Sequence, residues 1–270
     1  MKPYPTDLRS LTRQLETFEG CSDVTEYFLK RSIDEVMSTD DGGELSYGSF
    51  YQLFLPGVVR SNIEHIYQHS GSPIEKIFFA SLQLLFIRSQ VPCLHFWGAS
   101  ENAEATIAAY REKHLGIMRW IDSYREATCD QELARFNLAL NEKVEKGQMT
   151  AEDVTEVGIH QHLIANFEWH GIHAMMQAGL PGIKVNGRSI RCDLLIWVPG
   201  DESVKIIIEC DGFAWHSSKE SFVSDRARDR QLQLNGYRVI RFSGSEINED
   251  PSRVASELFD LLQAINPEII

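Results

Sequence analysis

No apolar run in this 270-residue chain reaches the roughly 18–20 residues needed to cross a bilayer. The longest, Ile74 to Ile87, is broken by Glu75, Lys76 and Gln83. The opening residues, MKPYPTDLRSLTRQ, hold no apolar core of a secretory signal. A cytoplasmic location with no membrane partner is therefore expected. Cysteine is scarce, and Cys21, Cys93, Cys129, Cys192 and Cys210 show no CxxC spacing. Their odd number argues against a disulfide framework or a zinc ribbon. There is no glycine-lysine phosphate loop and no GxSxG elbow, so ATP hydrolysis and serine-esterase chemistry lack support. Repeats, low-complexity tracts and long linkers are absent. Positive charge is also short: 26 Lys and Arg stand against 39 Asp and Glu, a net charge of -13. That is not the overall signature of a nucleic-acid binder.

What is present begins with ordinary globular content, 43% hydrophobic and 24% charged, enough for one large domain or two small ones. The informative stretch is Ile190 to Phe242. It opens with two strand-length apolar runs, Ile190–Val198 and Lys205–Asp211, joined by the polar connector Pro199-Gly-Asp-Glu-Ser203. Strand side chains alternate between faces, so Arg191, Asp193, Leu195 and Trp197 are expected on one face. Lys205, Ile207, Glu209 and Asp211 share a face in the same way. With Asp201 at the centre of the turn, opposed residues have numbers summing to about 402. Asp193 then faces Glu209, and Arg191 faces Asp211. Cys192 faces Cys210 on the opposite side, with Leu194 and Ile208, as reduced core residues. Opposed Cβ atoms lie about 4.5–5.5 Å apart. Two carboxylates that close, in a strand as apolar as Ile206-Ile-Ile208, need compensation. A divalent cation with hard oxygen ligands supplies it, and Mg²⁺ (or Mn²⁺) is the expected cofactor. The competing expectation is a register slip that leaves the acids at a solvated sheet end.

An Asp on one strand, Glu-x-Asp on the next, then helix, strand and helix, resembles the PD-(D/E)XK nuclease superfamily. The ordered string ECDG, GFAWH, DRARD, NGYRV and IRF is similar to the small bacterial nucleases related to very-short-patch-repair endonucleases. The resemblance runs from about Gln177 to Phe242. It implies an α/β, restriction-endonuclease-like core: a mixed sheet flanked by helices, with added N-terminal and inserted helices. It also implies metal-dependent phosphodiester hydrolysis, in DNA ahead of RNA. Asp193 and Glu209 would hold the metal with the Cys210 carbonyl. Asp211 stands where the superfamily often has Lys, and would bind a second metal or anchor Arg191; the general base is left open. His216, beyond the flexible Gly212, would assist proton transfer, although a loop histidine packed on Trp215 is the plainer alternative. Between residues 184 and 241 ten basic residues outnumber eight acidic ones, a local balance of +2. Arg191, Lys219, Arg226 and Arg228 would meet backbone phosphates there.

The rest of the chain reads as follows. Residues 1–71 form a helical region, with helical spacing at Leu8, Leu11, Leu15 and Phe18. His65 and His69 lie one turn apart, and two surface histidines explain them better than a metal pair. Residues 72–270 form the nuclease-like domain. Ser72-Pro-Ile-Glu75 is a helix start, with Ser as N-cap and Glu at N3. The resemblance adds that an acid at such a start reaches the metal edge, which makes Glu75 a site candidate. Residues 91–148 read as a helical insertion, with helices over Ala103–Ala127 and Gln131–Lys146 that could clamp substrate or receive a protein partner. A helix from Thr150 towards Phe167 follows. His160, His162, His170 and His173 match no zinc spacing and are expected to be structural. The first strand and its bends are expected at about 172–189, a helix at Lys219–Asn235 closed by Gly236, a strand at Tyr237–Phe242 and a helix at Pro251–Ile265. The rival to an enzyme is an inactive nucleic-acid-binding or partner-docking protein on the same fold.

Overall fold

The computed structural model describes residues 47–88, 94–126, 146–147, 168–212 and 219–265. In chain order the elements are α1 (Tyr47–His69), α2 (Pro73–Arg88), β1 (Leu94–Trp97), α3 (Ala103–Glu126), β2 (Ile172–Val185), β3 (Arg188–Val198), β4 (Asp201–Asp211), α4 (Lys219–Leu234), β5 (Arg238–Ser243), α5 (Gly244–Glu249) and α6 (Pro251–Ile265). The expected helices over Leu8–Phe18 and Thr150–Phe167 lie outside the described residues, as does His216; of the expected helix Gln131–Lys146 only Lys146 is described, in a turn.

The five strands form one mixed sheet in the order β1-β2-β3-β4-β5. The β1–β2 and β4–β5 pairs are parallel, while β2–β3 and β3–β4 are antiparallel. Helices cover both faces, which is the α/β architecture expected. One face carries Ile63 and Ile66 of α1, Phe78, Phe79 and Leu82 of α2, and Val254 and Leu258 of α6, all fully buried. They pack on Ala174, Met176, Leu194, Ile196, Ile206 and Ile208 of the sheet. On the other face Ala103 of α3 and Leu232 of α4 pack on Met175, Leu195, Trp197 and Ile207. A sheet buried on both sides explains why β3 and β4 read as continuous apolar runs.

Two elements differ from expectation. Leu94–Trp97 is a strand inside the segment read as a helical insertion, so the sheet begins there and not at residue 172. Four residues carry little periodicity, and what stabilises this edge is remote in sequence. The buried Asn62 of α1 donates through Nδ2 to the Leu94 carbonyl at 2.6 Å and accepts from the Phe96 N–H at 2.8 Å. Its amide thus pairs with the open edge as a neighbouring strand would. The second surprise is α5, whose Ser243–Glu246 capping box follows directly on β5.

The turns also shift. The β2–β3 hairpin turns at Asn186-Gly187, both with positive φ (50° and 78°), the geometry that favours this pair. Gly179-Leu-Pro-Gly182 is not a bend; it lies within β2, where the pairing register shifts between Leu180 and Lys184. The β3–β4 turn is at Pro199-Gly200, with Val198 paired to Asp201, and not at Asp201. A register shift after Val198 then restores the expected pairing, Leu194↔Ile208 through Trp197↔Lys205.

Near the acids, simple alternation fails. Met176 and Ala178 lie two apart on β2, yet Met176 belongs to the first face and Ala178 to the second. Leu194 and Cys192 of β3 divide in the same way. The switch falls at Gln177, whose φ is 47°, and at the residue across from it, Asp193. A left-handed backbone at a non-glycine residue costs about 1–2 kcal/mol and turns the following peptide over. Arg191, Asp193, Leu195 and Trp197 therefore do not share one face. Cys192 and Cys210 do not pack together either: Cys192 is buried on the second face, while Cys210 packs against the first.

Candidate active site

The paired positions of β3 and β4 stop at Leu194↔Ile208, one pair short of the acids. Beyond that point the Cys210 N–H donates to Asp193 Oδ2 at 2.8 Å, so a side chain takes the place of the ladder. The acids gather at this opening. Asp193 comes from β3, Glu209 and Asp211 from β4, and Glu75 from the N-terminus of α2. Glu209 and Glu75 are each only 5% exposed, so neither is a solvated surface carboxylate.

Glu75 does more than close a capping box. Its own N–H donates to Ser72 Oγ at 3.3 Å, as an N3 residue should. Its carboxylate accepts from the Gly71 N–H at 2.8 Å, from the Ser72 hydroxyl at 2.9 Å and from Gln177 Nε2 at 3.0 Å. The acid is thereby tied to β2 beside Asp193. Burial raises the Glu75 pKa, the Asp193 charge raises it further, and its three donors oppose the rise. Burial likewise raises Asp193; the Cys210 N–H, Arg228 and a hydrogen bond from Gln177 pull it down, while Asp211 pushes it up. Burial pushes Glu209 up to about 8, with Asp193 and Asp211 adding to the rise and Arg228 and Arg241 opposing it. Asp193 thus raises both Glu75 and Glu209, and Asp211 raises both Asp193 and Glu209.

Two arginines supply the opposing positive charge. Arg228 of α4 donates through Nη2 to Glu209 Oε1 at 2.6 Å and also to the Arg191 carbonyl. Arg241 of β5 sits beside Glu209 in the β4–β5 register. It donates to Asp211 Oδ1 at 2.7 Å and to Asp229 Oδ1 at 2.8 Å. The expected Arg191–Asp211 contact is replaced: Arg191 pairs with Glu101 of the turn before α3. Arg228, expected to meet backbone phosphates, is paired with the buried Glu209. Arg226 is exposed on α4, and Lys219 begins that helix.

The donors are hard oxygens whose ionisation burial disfavours, which suits a divalent cation. Among the described residues no group of three or more His, Cys, Asp and Glu side chains is arranged to hold a metal. A cation at Asp193 and Glu209 would therefore draw on backbone oxygen or solvent as well. His65 and His69 are half-buried, not at the surface, with ring centroids 5.7 Å apart. His173 is buried within an aromatic cluster on the sheet, accepting at Nδ1 from Trp97 Nε1 at 2.9 Å. His170 is exposed, and His160 and His162 lie outside the described residues.

Gln177 and Arg241 were not singled out from the sequence. The signal for Gln177 was a lone amide in the apolar run His173-Ala-Met-Met-Gln-Ala-Gly-Leu180. For Arg241 it was a base at the strand position that parallel pairing sets beside Glu209.

Residues 160–262 match the model of a restriction endonuclease-like family, REase_MTES_1575. The matched stretch holds all of β2 through α5, with Asp193, Glu209 and Asp211; Glu75 lies before it. The likeness supports a nuclease superfamily and hydrolase chemistry for this part of the chain. Comparison with curated proteins and with solved structures gave no match.

Proposed function

We propose that this protein is a Mg²⁺-dependent endonuclease that hydrolyses phosphodiester bonds in DNA, in the manner of the very-short-patch-repair-like enzymes, with Mn²⁺ as a substitute metal. The observation that carries this reading is the convergence of Asp193, Glu209, Asp211 and Glu75, largely out of solvent, where β3 and β4 part. Asp193 and Glu209 would hold the cation with the Cys210 carbonyl. Held there, a hard divalent ion would supply Lewis-acid polarisation of a phosphate and a more nucleophilic water near neutral pH. Asp211, paired with Arg241, would add negative charge beside the pair or bind a second metal. Arg228, which pairs with Glu209, would turn to a phosphate. Lys219, Arg226 and Arg191 would hold the backbone, and His216 would carry a proton. The acidic remainder of the chain predicts weak non-specific DNA affinity.

A second reading has its own support. Glu209 and Asp211 already have arginine partners, and the described residues show no three-carboxylate metal group. A nucleic-acid-binding or partner-docking protein that has lost turnover fits both facts. Incubation of the full chain with single-stranded, duplex and mismatched DNA, with Mg²⁺ or Mn²⁺, separates the two. Cleavage by the wild type and none by Glu209→Gln is the expected result. Binding without cleavage by either favours the inactive module, and equal cleavage by both removes Glu209 from the site.

A further inference from the structure

Among the described residues only Gln177 and Asn186 combine positive φ with a side chain. Asn186 is explained by the hairpin turn it shares with Gly187. Gln177 is in no turn. It lies in the middle of β2, across from Asp193, where both strands exchange faces. A strained backbone inside a strand persists only where its surroundings hold it, and such sites are often functional.

What the unusual backbone delivers is a carboxamide. Gln177 Nε2 donates to Glu75 Oε2 at 3.0 Å, and Gln177 lies across from Asp193 in the β2–β3 register. The amide nitrogen carries two hydrogens, so one group can serve two acids. Its seat is tight: a Cβ at Gly71 would lie 3.0 Å from Gln177 Nε2 and 3.1 Å from Glu75 Oε1. The choice of an amide has chemical content. A lysine or arginine here would also bind both acids, but its charge would oppose a cation. A neutral donor fixes the carboxylates and leaves their charge available.

We infer that Gln177 is a positioning residue: its neutral carboxamide bridges Glu75 of α2 to Asp193 of β3 and so sets the acids for a divalent cation. The inference rests on the nuclease reading and assigns Gln177 no contact with substrate. Loss of such an outer partner typically weakens metal binding about 10–100-fold.

The test is Mn²⁺ titration of the full-length protein by calorimetry, with steady-state DNA cleavage alongside. Gln177→Leu removes both donors at similar bulk. Gln177→Lys keeps donors for both acids but adds charge. In Gln177→Leu the Mn²⁺ Kd is expected to rise about 10–100-fold, with kcat falling and KM for DNA little changed. Gln177→Lys is expected to keep the thermal midpoint of the wild type and to lose Mn²⁺ more severely than the leucine variant. A purely structural glutamine gives another pattern, in which the lysine variant binds Mn²⁺ as the wild type does. That pattern, or a leucine variant within twofold of wild-type Mn²⁺ affinity, overturns the inference while leaving the nuclease reading intact. If Gln177→Leu does not fold, the lysine variant decides. A wild type that neither binds Mn²⁺ nor cleaves DNA removes the nuclease reading itself, and the positioning role with it.

Discussion

Glu209 is pulled in two directions. Burial favours its neutral form, while Arg228 at 2.6 Å favours the charged one. Removing one partner of such a pair leaves the other with no compensation. Arg228→Met should therefore lower stability by about 1–3 kcal/mol above about pH 8, where Glu209 ionises, read from chemical denaturation. The same substitution in a Glu209→Gln background should cost less, since no buried charge is then stranded. The difference, a coupling of about 0.5–3 kcal/mol, measures the pair directly. Equal losses in the two backgrounds would mean that Arg228 acts through packing alone. Glu209→Gln by itself should abolish cleavage without lowering stability at pH 8, because its amide needs no ionisation. This is the pattern expected where a site acid is kept at the expense of stability. A large stability loss on Glu209→Gln would instead make the ion pair structural.

The elements explain why the acids meet where they do. Gly179 of β2 donates its N–H to the Ser100 carbonyl at 2.7 Å, and a Cβ there would lie 2.5 Å from the Glu101 carbonyl oxygen. Backbone cannot yield as a side-chain tip can. Gly179→Ala should thus cost about 1–3 kcal/mol in a denaturant titration, and an unchanged midpoint would contradict the close approach. Much of this level was legible in the sequence. The apolar runs placed β3 and β4, and their summed register held at four consecutive pairs. Pro251 and Ile265 bound the last helix as read, and Ser72 with Glu75 marks the start of α2. The residues around the acids were legible in identity but not in orientation. Alternation assumes a regular backbone, and Gln177 breaks it with a dihedral that no neighbouring residue announces. The strand β1 was missed because its edge is closed by Asn62, 32 residues earlier in the chain. The exchange of arginine partners, Arg191 to Glu101 and Arg241 to Asp211, depends on approaches of separate elements that a hairpin diagram does not contain.

For the whole molecule, a buried acid with a raised pKa links folding to pH. Glu209 moves from an ordinary value of 4.5 to about 8 in the folded chain. Between those values the folded state binds the extra proton. Its contribution is thus complete below about pH 4.5 and is lost as pH rises through about 8. Burial shifts Glu75 and Asp193 in the same direction. Without metal, stability should decline from pH 5 to pH 8, and Glu209→Gln should flatten that decline. A cation bound to the ionised acids reverses the effect, because it stabilises only the folded state. At a hundredfold excess over Kd the gain is about 2.7 kcal/mol. The most direct measurement is the thermal midpoint of the full-length protein at pH 5 and pH 8, with and without Mg²⁺, for the wild type, Asp193→Asn and Glu209→Gln. Mg²⁺ should raise the wild-type midpoint more at pH 8 than at pH 5 and leave both variants unmoved. A wild type indifferent to Mg²⁺ at pH 8, or variants that respond as it does, would contradict a cation site at Asp193 and Glu209.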